Sequence, residues 1–140
     1  MNPEEVVRDA VAHPLTMIAS DGLKGHPRNA GAYARVVGRY VREGKALTLM
    51  EALRKCSLAP AQRLESLAPV MRQKGRLRVG ADADLVVFDA ARVSDQATYE
   101  QPYRTSVGIE HVLVGGVAVV RRGGLQPGVF PGKPVRAPIR

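Results

Sequence analysis

The stretch AYARVVGRYVREGKALTLMEALRKC, Ala32–Cys56, carries the clearest periodic pattern in the chain. Apolar residues recur at helical spacing in its first half, and arginines occupy the opposite face. Gly44 is predicted to end this helix. Thr48 and Glu51 have the spacing of a capping box, which predicts that a second helix begins there. The apolar stripes of the two helices are Tyr33, Val36, Val37, Tyr40 and Val41, and Leu49, Ala52, Leu53 and Cys56.

Upstream of this pair, the pattern predicts one helix and one strand. NPEEVVRDAVAH, Asn2–His13, reads as a short helix that Asn2 caps and that has Pro3 at its first position. PLTMIAS, Pro14–Ser20, is apolar without alternation, which is typical of a short strand buried on both faces in a parallel sheet. A lone strand of this kind would expose two edges, so it needs a partner.

Downstream, a shorter third helix is predicted from Pro60, and the pattern changes to strands near Lys74. The expected elements are an alternating stretch, a buried strand and a hairpin closed on a Gly-Gly turn. A loop and an extended proline-containing tail complete the chain. These segments are GRLRVG at 75–80, ADLVVFD at 83–89, HVLVGGVAVVRR at 111–122, the loop at 92–108 and the tail at 126–140.

Composition limits the function classes. The chain has 140 residues, a formal net charge of +8 and only 4% aromatic residues. Because the basic residues are dispersed and base-stacking aromatics are scarce, the composition argues against a nucleic-acid-binding role. Cys56 is the single cysteine, so no internal disulfide can form, and its place on an apolar stripe indicates a buried small residue. Neither a signal peptide nor a membrane-spanning run is recognisable, and we expect a cytoplasmic protein.

Two residues in MIASDGLKGHPR, Met17–Arg28, are candidates for chemistry. Asp21 follows the apolar run and could be a turn residue or a carboxylate at the end of a barrel strand. Arg28 could bind a carboxylate through its guanidinium fork or serve as a surface charge. His26 is expected to hold this loop through hydrogen bonds. The three histidines have no metal-ligand spacing, so no metal ligand is assigned.

Four segments together resemble one family. They are HPLTMIASDG, the HPR segment with the helices after it, KGRLRVGADADLVVFDAARVSDQATYEQP, and GIEHVLVGGVAVV. On these residues the chain resembles the C-terminal part of the N-acyl-D-amino-acid deacylases, or D-aminoacylases, of the amidohydrolase superfamily. The stretch around ADADLVVFD is shared widely among amidohydrolases, whereas its combination with SDG, HPR and DQATYEQP is more specific.

The resemblance implies an α+β chain with parts of two domains. Residues 1–73 would be the last βα portion of a metal-dependent hydrolase TIM barrel, with the helices that follow it. Residues 74–125 would be the C-terminal part of a composite β-sandwich, and residues 126–140 an extended tail. Catalytic groups of such barrels lie at the C-terminal ends of the strands, which is where Asp21 falls.

The resemblance also implies a reaction. The intact family uses a metal, usually zinc, to hydrolyse N-acyl-D-amino acids to a carboxylate and a D-amino acid. Asp21 would act as general base and acid, and Arg28 would bind the substrate carboxylate. The family's metal ligands precede this region, so none is assigned here, and this chain alone is expected to be inactive and to bind no zinc.

Three interpretations stay open. The chain could be a fragment of a deacylase, one subunit of a split enzyme completed by an N-terminal amidohydrolase portion, or a non-catalytic relic. As a relic it would be a small oligomerising interaction domain. Self-association through the orphan strand is expected of the isolated chain, because an apolar face must be covered.

Overall fold

The computed structural model describes residues 3–137, which form two compact units. Among the described residues, the first unit contains residues 3–56 and 89–108, and the second contains residues 57–88 and 109–137. The helices come first in the chain and the antiparallel sheet comes last, as predicted for an α+β chain. The domain boundaries expected for an intact enzyme, at residues 73 and 125, stay a prediction.

The first unit is built from the predicted helices. Its helices are α1 at Glu4–Ala12, α2 at Arg28–Arg35 with a π-helical continuation at Val36–Glu43, and α3 at Leu49–Leu53 with a π-helical continuation at Arg54–Leu58. The predicted capping box is confirmed, since the side chains and backbone amides of Thr48 and Glu51 bond reciprocally. The predicted cap Asn2 lies outside the described residues. No helix within residues 3–137 is long and apolar enough to cross a membrane.

The core of this unit lies between α2 with its continuation and α3. Its buried residues are Val36, Tyr40, Leu47 and Ala52, against which Val7, Val11, Ile18, Val41, Ala46 and Cys56 pack. The helix ends before Gly44 as predicted, but Gly44 keeps a right-handed conformation and Lys45 takes the positive φ of 47°. Glycine is still needed at 44, because a Cβ there would lie 2.9 Å from the carbonyl oxygen of Arg39.

The strand predicted at Pro14–Ser20 does not form. This segment has no regular secondary structure from Thr16 to Ser20, and no neighbouring strand pairs with it within residues 3–137. Apolar character alone cannot make a strand, because the ladder needs a second chain segment. Met17 is 43% exposed, whereas the amide of Ile18 donates to the carbonyl oxygen of Lys55 at 3.1 Å.

A buried lysine holds this segment in place. Lys55 is 6% exposed, and its ammonium donates to the carbonyl oxygens of His13 at 2.5 Å and Thr16 at 3.0 Å. It also reaches the hydroxyl of Thr16 at 3.1 Å. His13 follows α1 directly, so the cation also satisfies a carbonyl at the C-terminal end of that helix. Lys55 therefore fixes the chain between α1 and Asp21.

Segment 89–108 lies close against α2 and its continuation. A Cβ on Gly31 would be 2.8 Å from the Cβ of Asp95, and one on Gly38 would be 2.9 Å from the carbonyl oxygen of Val93. Val93 is 3% exposed, and its carbonyl accepts from the Arg42 guanidinium at 2.6 Å. The predicted loop at 92–108 is thus irregular but firmly attached.

The second unit contains a short helix, a 3₁₀ turn and a four-stranded sheet. These are α4 at Ala59–Leu64, the 3₁₀ turn at Pro69–Gln73, β1 at Leu85–Phe88, β2 at Ile109–Val114, β3 at Val117–Arg121 and β4 at Gly124–Leu125. The sheet is antiparallel in the order β1-β2-β3-β4. The predicted hairpin is confirmed, and its Gly115 and Gly116 have φ values of 56° and 81°, as a tight hairpin turn requires.

Asp84 links this hairpin to the chain before β1. Its carboxylate accepts from the Gly115 amide at 2.7 Å and from the Lys74 ammonium at 2.5 Å. The hydrogen bond from Lys74 and that from Gly115 lower the pKa of Asp84. Since a group with a lowered pKa stabilises the folded state above its unfolded pKa, this contribution is lost as acid protonates the carboxylate.

Two predictions for the strand region are wrong. GRLRVG forms turns and irregular chain, with Leu77 89% exposed and Val79 fully exposed. The strand in ADLVVFD is present, but it is not buried, because Val86 and Val87 are about half exposed. An alternating or apolar sequence shows that a segment could bury one or both faces. The segment is buried only if another helix or strand packs against it. The predicted tail is irregular over residues 126–137, and the rest of it lies outside the described residues.

Gly108→Ala is expected to destabilise the helical unit strongly. Gly108 has a φ of 76°, and a Cβ there would lie 2.5 Å from the backbone nitrogen of Val93. The left-handed conformation costs an alanine about 1–2 kcal/mol, and the overlap with Val93 adds about 1–3 kcal/mol. Gly128→Ala is the matched control, because Gly128 has the same φ of 76° in open space. Urea unfolding monitored by circular dichroism should show the larger loss for Gly108→Ala; equal losses would contradict the proposed close approach.

Lys55→Met is expected to reduce the free energy of unfolding by about 2–4 kcal/mol, because it removes all three hydrogen bonds that the ammonium donates to His13 and Thr16. The methionine keeps most of the side-chain volume, so the loss reports the ammonium. Lys24→Met at an exposed position should change stability by less than about 0.5 kcal/mol. Differential scanning fluorimetry measures both variants, and similar melting temperatures for the two would contradict this role of Lys55.

Candidate active-site loop

The candidate site lies on the loop from Asp21 to Arg28, which is called the site loop below. Asp21 follows the irregular segment held by Lys55 and has a φ of 45°. Arg28 is the first residue of α2. The structure brings the two together, with 2.9 Å between Nη2 of Arg28 and Oδ2 of Asp21. Both candidates predicted from the sequence therefore belong to one constellation.

The two charged side chains differ in their surroundings. The Asp21 side chain is 85% exposed, whereas that of Arg28 is 37% exposed. Within the described residues, Nε of Arg28 is buried and has no hydrogen-bond partner. A guanidinium presents several donors in a rigid plane, which suits two-point contact with a carboxylate. The arrangement can therefore bind an anion at Arg28 and offer a carboxylate beside it.

His26 organises the site loop from within. Its amide donates to the carbonyl oxygen of Leu23 at 3.0 Å, and its Nδ1 accepts from the amide of Arg28 at 3.1 Å. Pro27, the N-cap of α2, makes no side-chain cap bond, so the His26 ring satisfies the first amide of the helix instead. The expectation that His26 holds the loop through hydrogen bonds is confirmed.

Two tyrosines from segment 89–108 reach the site loop. The amide of Gly25 donates to the hydroxyl of Tyr103 at 3.0 Å. Tyr99 has its hydroxyl 3.3 Å from Nε2 of His26, and its ring meets the imidazole edge-on with centroids 5.2 Å apart. Sequence reasoning missed both contacts. In the sequence, DQATYEQP is recognisable only as a family signature. No residue spacing predicts a hydrogen bond between side chains and a loop more than seventy residues away.

The histidines of the described part of the chain lie apart from one another. Within residues 3–137, no group of three or more histidine, cysteine, aspartate or glutamate side chains is arranged to hold a metal ion. His13 follows α1, His26 is engaged by Tyr99 and Arg28, and His111 lies in β2. The assignment of no metal ligand in this chain stays a prediction.

Cys56 is unsuited to nucleophilic chemistry. It packs against the helical core, and burial raises the pKa of its thiol to about 11. The thiol is therefore protonated at neutral pH, which removes the reactive thiolate. Cys56 therefore lies on the core side of its helix as expected, but it is only partly buried.

Comparisons with known proteins identify relatives of this chain. The chain is 50% identical over 120 residues to the N-acyl-D-glutamate deacylase of Alcaligenes xylosoxydans xylosoxydans. The aligned region covers 83% of this chain and 24% of that protein. It is 39% identical to the D-aminoacylase of the same organism, over 85% of this chain and 24% of that protein. The chain therefore spans about a quarter of the length of these relatives.

Solved structures give the same result. The N-acyl-D-glutamate deacylase of Bordetella bronchiseptica, solved with zinc and a phosphonate inhibitor, matches with a TM-score of 0.75 and 40% identity, over 96% of this chain and 26% of that chain. A D-aminoacylase crystal structure matches with a TM-score of 0.81 and 37% identity, over 91% of this chain and 27% of that chain. Residues 5–120 match the profile of the Amidohydrolase family. The chain belongs to the Amidohydrolase family.

Proposed function

We propose that this chain is the C-terminal portion of a metal-dependent N-acyl-D-amino-acid deacylase. One observation carries the proposal: Arg28 and Asp21 stand 2.9 Å apart on one loop. They do so in a chain that is 50% identical to an N-acyl-D-glutamate deacylase. In the intact enzyme the unpaired segment before Asp21 would be the last barrel strand, and the sheet would be part of the β-sandwich.

Arg28 would bind the α-carboxylate of the substrate. Its guanidinium already holds a carboxylate in this structure, that of Asp21. A substrate carboxylate would compete for the same Nη2 donor, so that binding would release Asp21 towards the scissile amide. Two parallel N–H···O bonds fix the orientation of the amino acid as well as its charge.

Asp21 would move the proton. As general base its carboxylate takes a proton from the attacking water, and as general acid it gives that proton to the departing amine nitrogen. The tetrahedral intermediate then collapses, the C–N bond breaks, and a carboxylate and a D-amino acid leave. The exposed Asp21 side chain is free to reach a substrate in this way.

N-acyl-D-glutamate is the substrate that we propose first. The identity is 50% to the N-acyl-D-glutamate deacylase, 41% to an N-acyl-D-aspartate deacylase and 39% to a D-aminoacylase. A net charge of +8 also favours the approach of a dianionic substrate. Zinc, present in the Bordetella relative, would be bound by residues of the N-terminal portion, because the residues described here do not form its site.

Reconstitution tests this proposal. The 140-residue chain is mixed with the N-terminal three quarters of the Alcaligenes deacylase and zinc, and release of D-glutamate from N-acetyl-D-glutamate is measured. We expect turnover from the mixture and none from either part alone. Asp21→Asn should lower kcat by about 10²–10⁴-fold, without raising KM. Arg28→Lys should raise KM about tenfold, because an ammonium cannot make the two-point contact.

The exposed pair of Arg8 and Asp9 supplies matched controls. These residues also form an ion pair, at 3.3 Å, but lie on α1. Arg8→Lys and Asp9→Asn should leave kcat and KM unchanged within about twofold. Turnover and bound zinc from the 140-residue chain alone would contradict the proposal that the metal ligands lie elsewhere.

A second candidate function is a self-associating interaction domain. It is favoured by an open apolar groove of about 320 Å³ between α1 and the unpaired segment before Asp21. Its lining residues are Val6, Val7, Ala10, Val11, Thr16, Met17 and Ile18. A second copy of the chain could cover this groove in place of an N-terminal portion.

The oligomeric state separates the two functions. For the interaction domain, light scattering should show a dimer or larger species at micromolar concentration, and Met17→Lys should yield a monomer. Val79→Lys is the control, since Val79 is fully exposed and outside the groove. A dilute monomer that still binds the N-terminal three quarters of the relative would exclude the interaction domain.

A further inference from the structure

The site loop needs support from outside its own sequence. It contains Gly22 and Gly25, and Gly25 has a φ of 80°. Glycines carry the largest loss of backbone freedom on folding, so a loop containing them does not hold one conformation unaided. The bond from the His26 amide to Leu23 closes one turn of it. The other contacts that fix its tip come from Tyr99 and Tyr103.

Tyr103 holds the tip of the loop directly. Its hydroxyl oxygen accepts from the Gly25 amide at 3.0 Å, across 78 residues of sequence. The tyrosine is 58% exposed, so burial of its ring does not account for its position. Its hydroxyl is the part of the side chain that meets the loop.

Tyr99 acts on Arg28 through His26. Because Nδ1 of His26 accepts from the Arg28 amide, a neutral ring carries its proton on Nε2 and donates it to the Tyr99 hydroxyl. The relay therefore runs from Tyr99 through the imidazole to the backbone of Arg28. It sets where α2 begins, and hence where the guanidinium stands relative to Asp21.

The segment that carries both tyrosines is itself fixed. Thr98 and Gln101 bond reciprocally, with the Gln101 amide donating to the Thr98 hydroxyl at 3.1 Å, and this places Tyr99 in a tight turn. Asp95 pairs with Arg35 of α2 at 3.2 Å, and the hydroxyl of Ser106 donates to the carbonyl oxygen of Ala30 at 3.2 Å. Both ends of the segment are thus attached to the helix that begins with Arg28.

We propose that Tyr99 and Tyr103 are positioning residues that hold the site loop so that Arg28 and Asp21 face the substrate together. This inference rests on the proposed deacylase function for its kinetic part. The hydroxyls do the positioning, so removal of one oxygen atom is enough to disturb the loop. Neither tyrosine takes part in bond breaking.

Hydrogen exchange on the 140-residue chain tests the loop contacts without any activity. Tyr103→Phe should speed exchange of the Gly25 amide at least fivefold, and Tyr99→Phe should speed that of the Arg28 amide by a similar factor. Tyr33→Phe is the matched control, an exposed tyrosine on α2 that should change neither rate. Unchanged rates in both test variants would overturn the proposal, whatever the enzyme does.

Kinetics of the reconstituted enzyme test the positioning role. Tyr99→Phe should raise KM about fivefold with kcat within twofold, because the relay acts on the residue that binds the carboxylate. Tyr103 holds the loop at Gly25, between Asp21 and Arg28, so Tyr103→Phe should change both kcat and KM. Altered exchange with unchanged kinetics would overturn the positioning role. Altered exchange in a mixture that never hydrolyses N-acyl-D-amino acids would support the loop contacts and overturn the proposed function.

Discussion

The close approach of segment 89–108 to the α2 helix is the constraint on which the site depends. It is possible because Gly31 and Gly38 leave the helix face without side chains where Asp95 and Val93 arrive. The guanidinium of Arg42 then donates to the carbonyl oxygen of the buried Val93. These contacts fix a segment that has no regular secondary structure. The segment can therefore hold Tyr99 and Tyr103 in place against the site loop.

Local rules explain most of what the sequence predicted correctly. A capping box depends on Thr48 and Glu51 alone, and the hairpin turn depends on two adjacent glycines with positive φ. Non-local rules explain the errors. Pro14–Ser20 has the composition of a buried strand, but its hydrogen-bonding partners would belong to other chain segments, and half-exposed Val86 and Val87 likewise lack a covering layer. The composition of a segment indicates whether it can be buried. Whether it is buried depends on the elements that pack against it in the fold.

The candidate site likewise contains residues that the sequence indicated and supporting residues that it did not. From residue type alone, Asp21 could be a turn residue and Arg28 a surface charge. The predicted catalytic role of Asp21 and substrate-binding role of Arg28 came from the resemblance to the deacylases. Lys55 lies in the second helix beside the expected apolar stripe, and its sequence neighbours give no indication of the three oxygen atoms that its ammonium reaches. Such residues emerge only once the carbonyls at the end of α1 are placed in space, because backbone acceptors carry no sequence signal.

The half-buried Cys56 makes the helical core observable in solution. Its thiol is protonated at neutral pH and packs against the helical core, so alkylating reagents should react with it faster when the helices separate. As the single cysteine of the chain, it gives one unambiguous labelling rate. That rate rises when the helical unit opens locally, and it would fall when a binding partner covers the unit. The chain thus contains its own probe of assembly, without any engineered label.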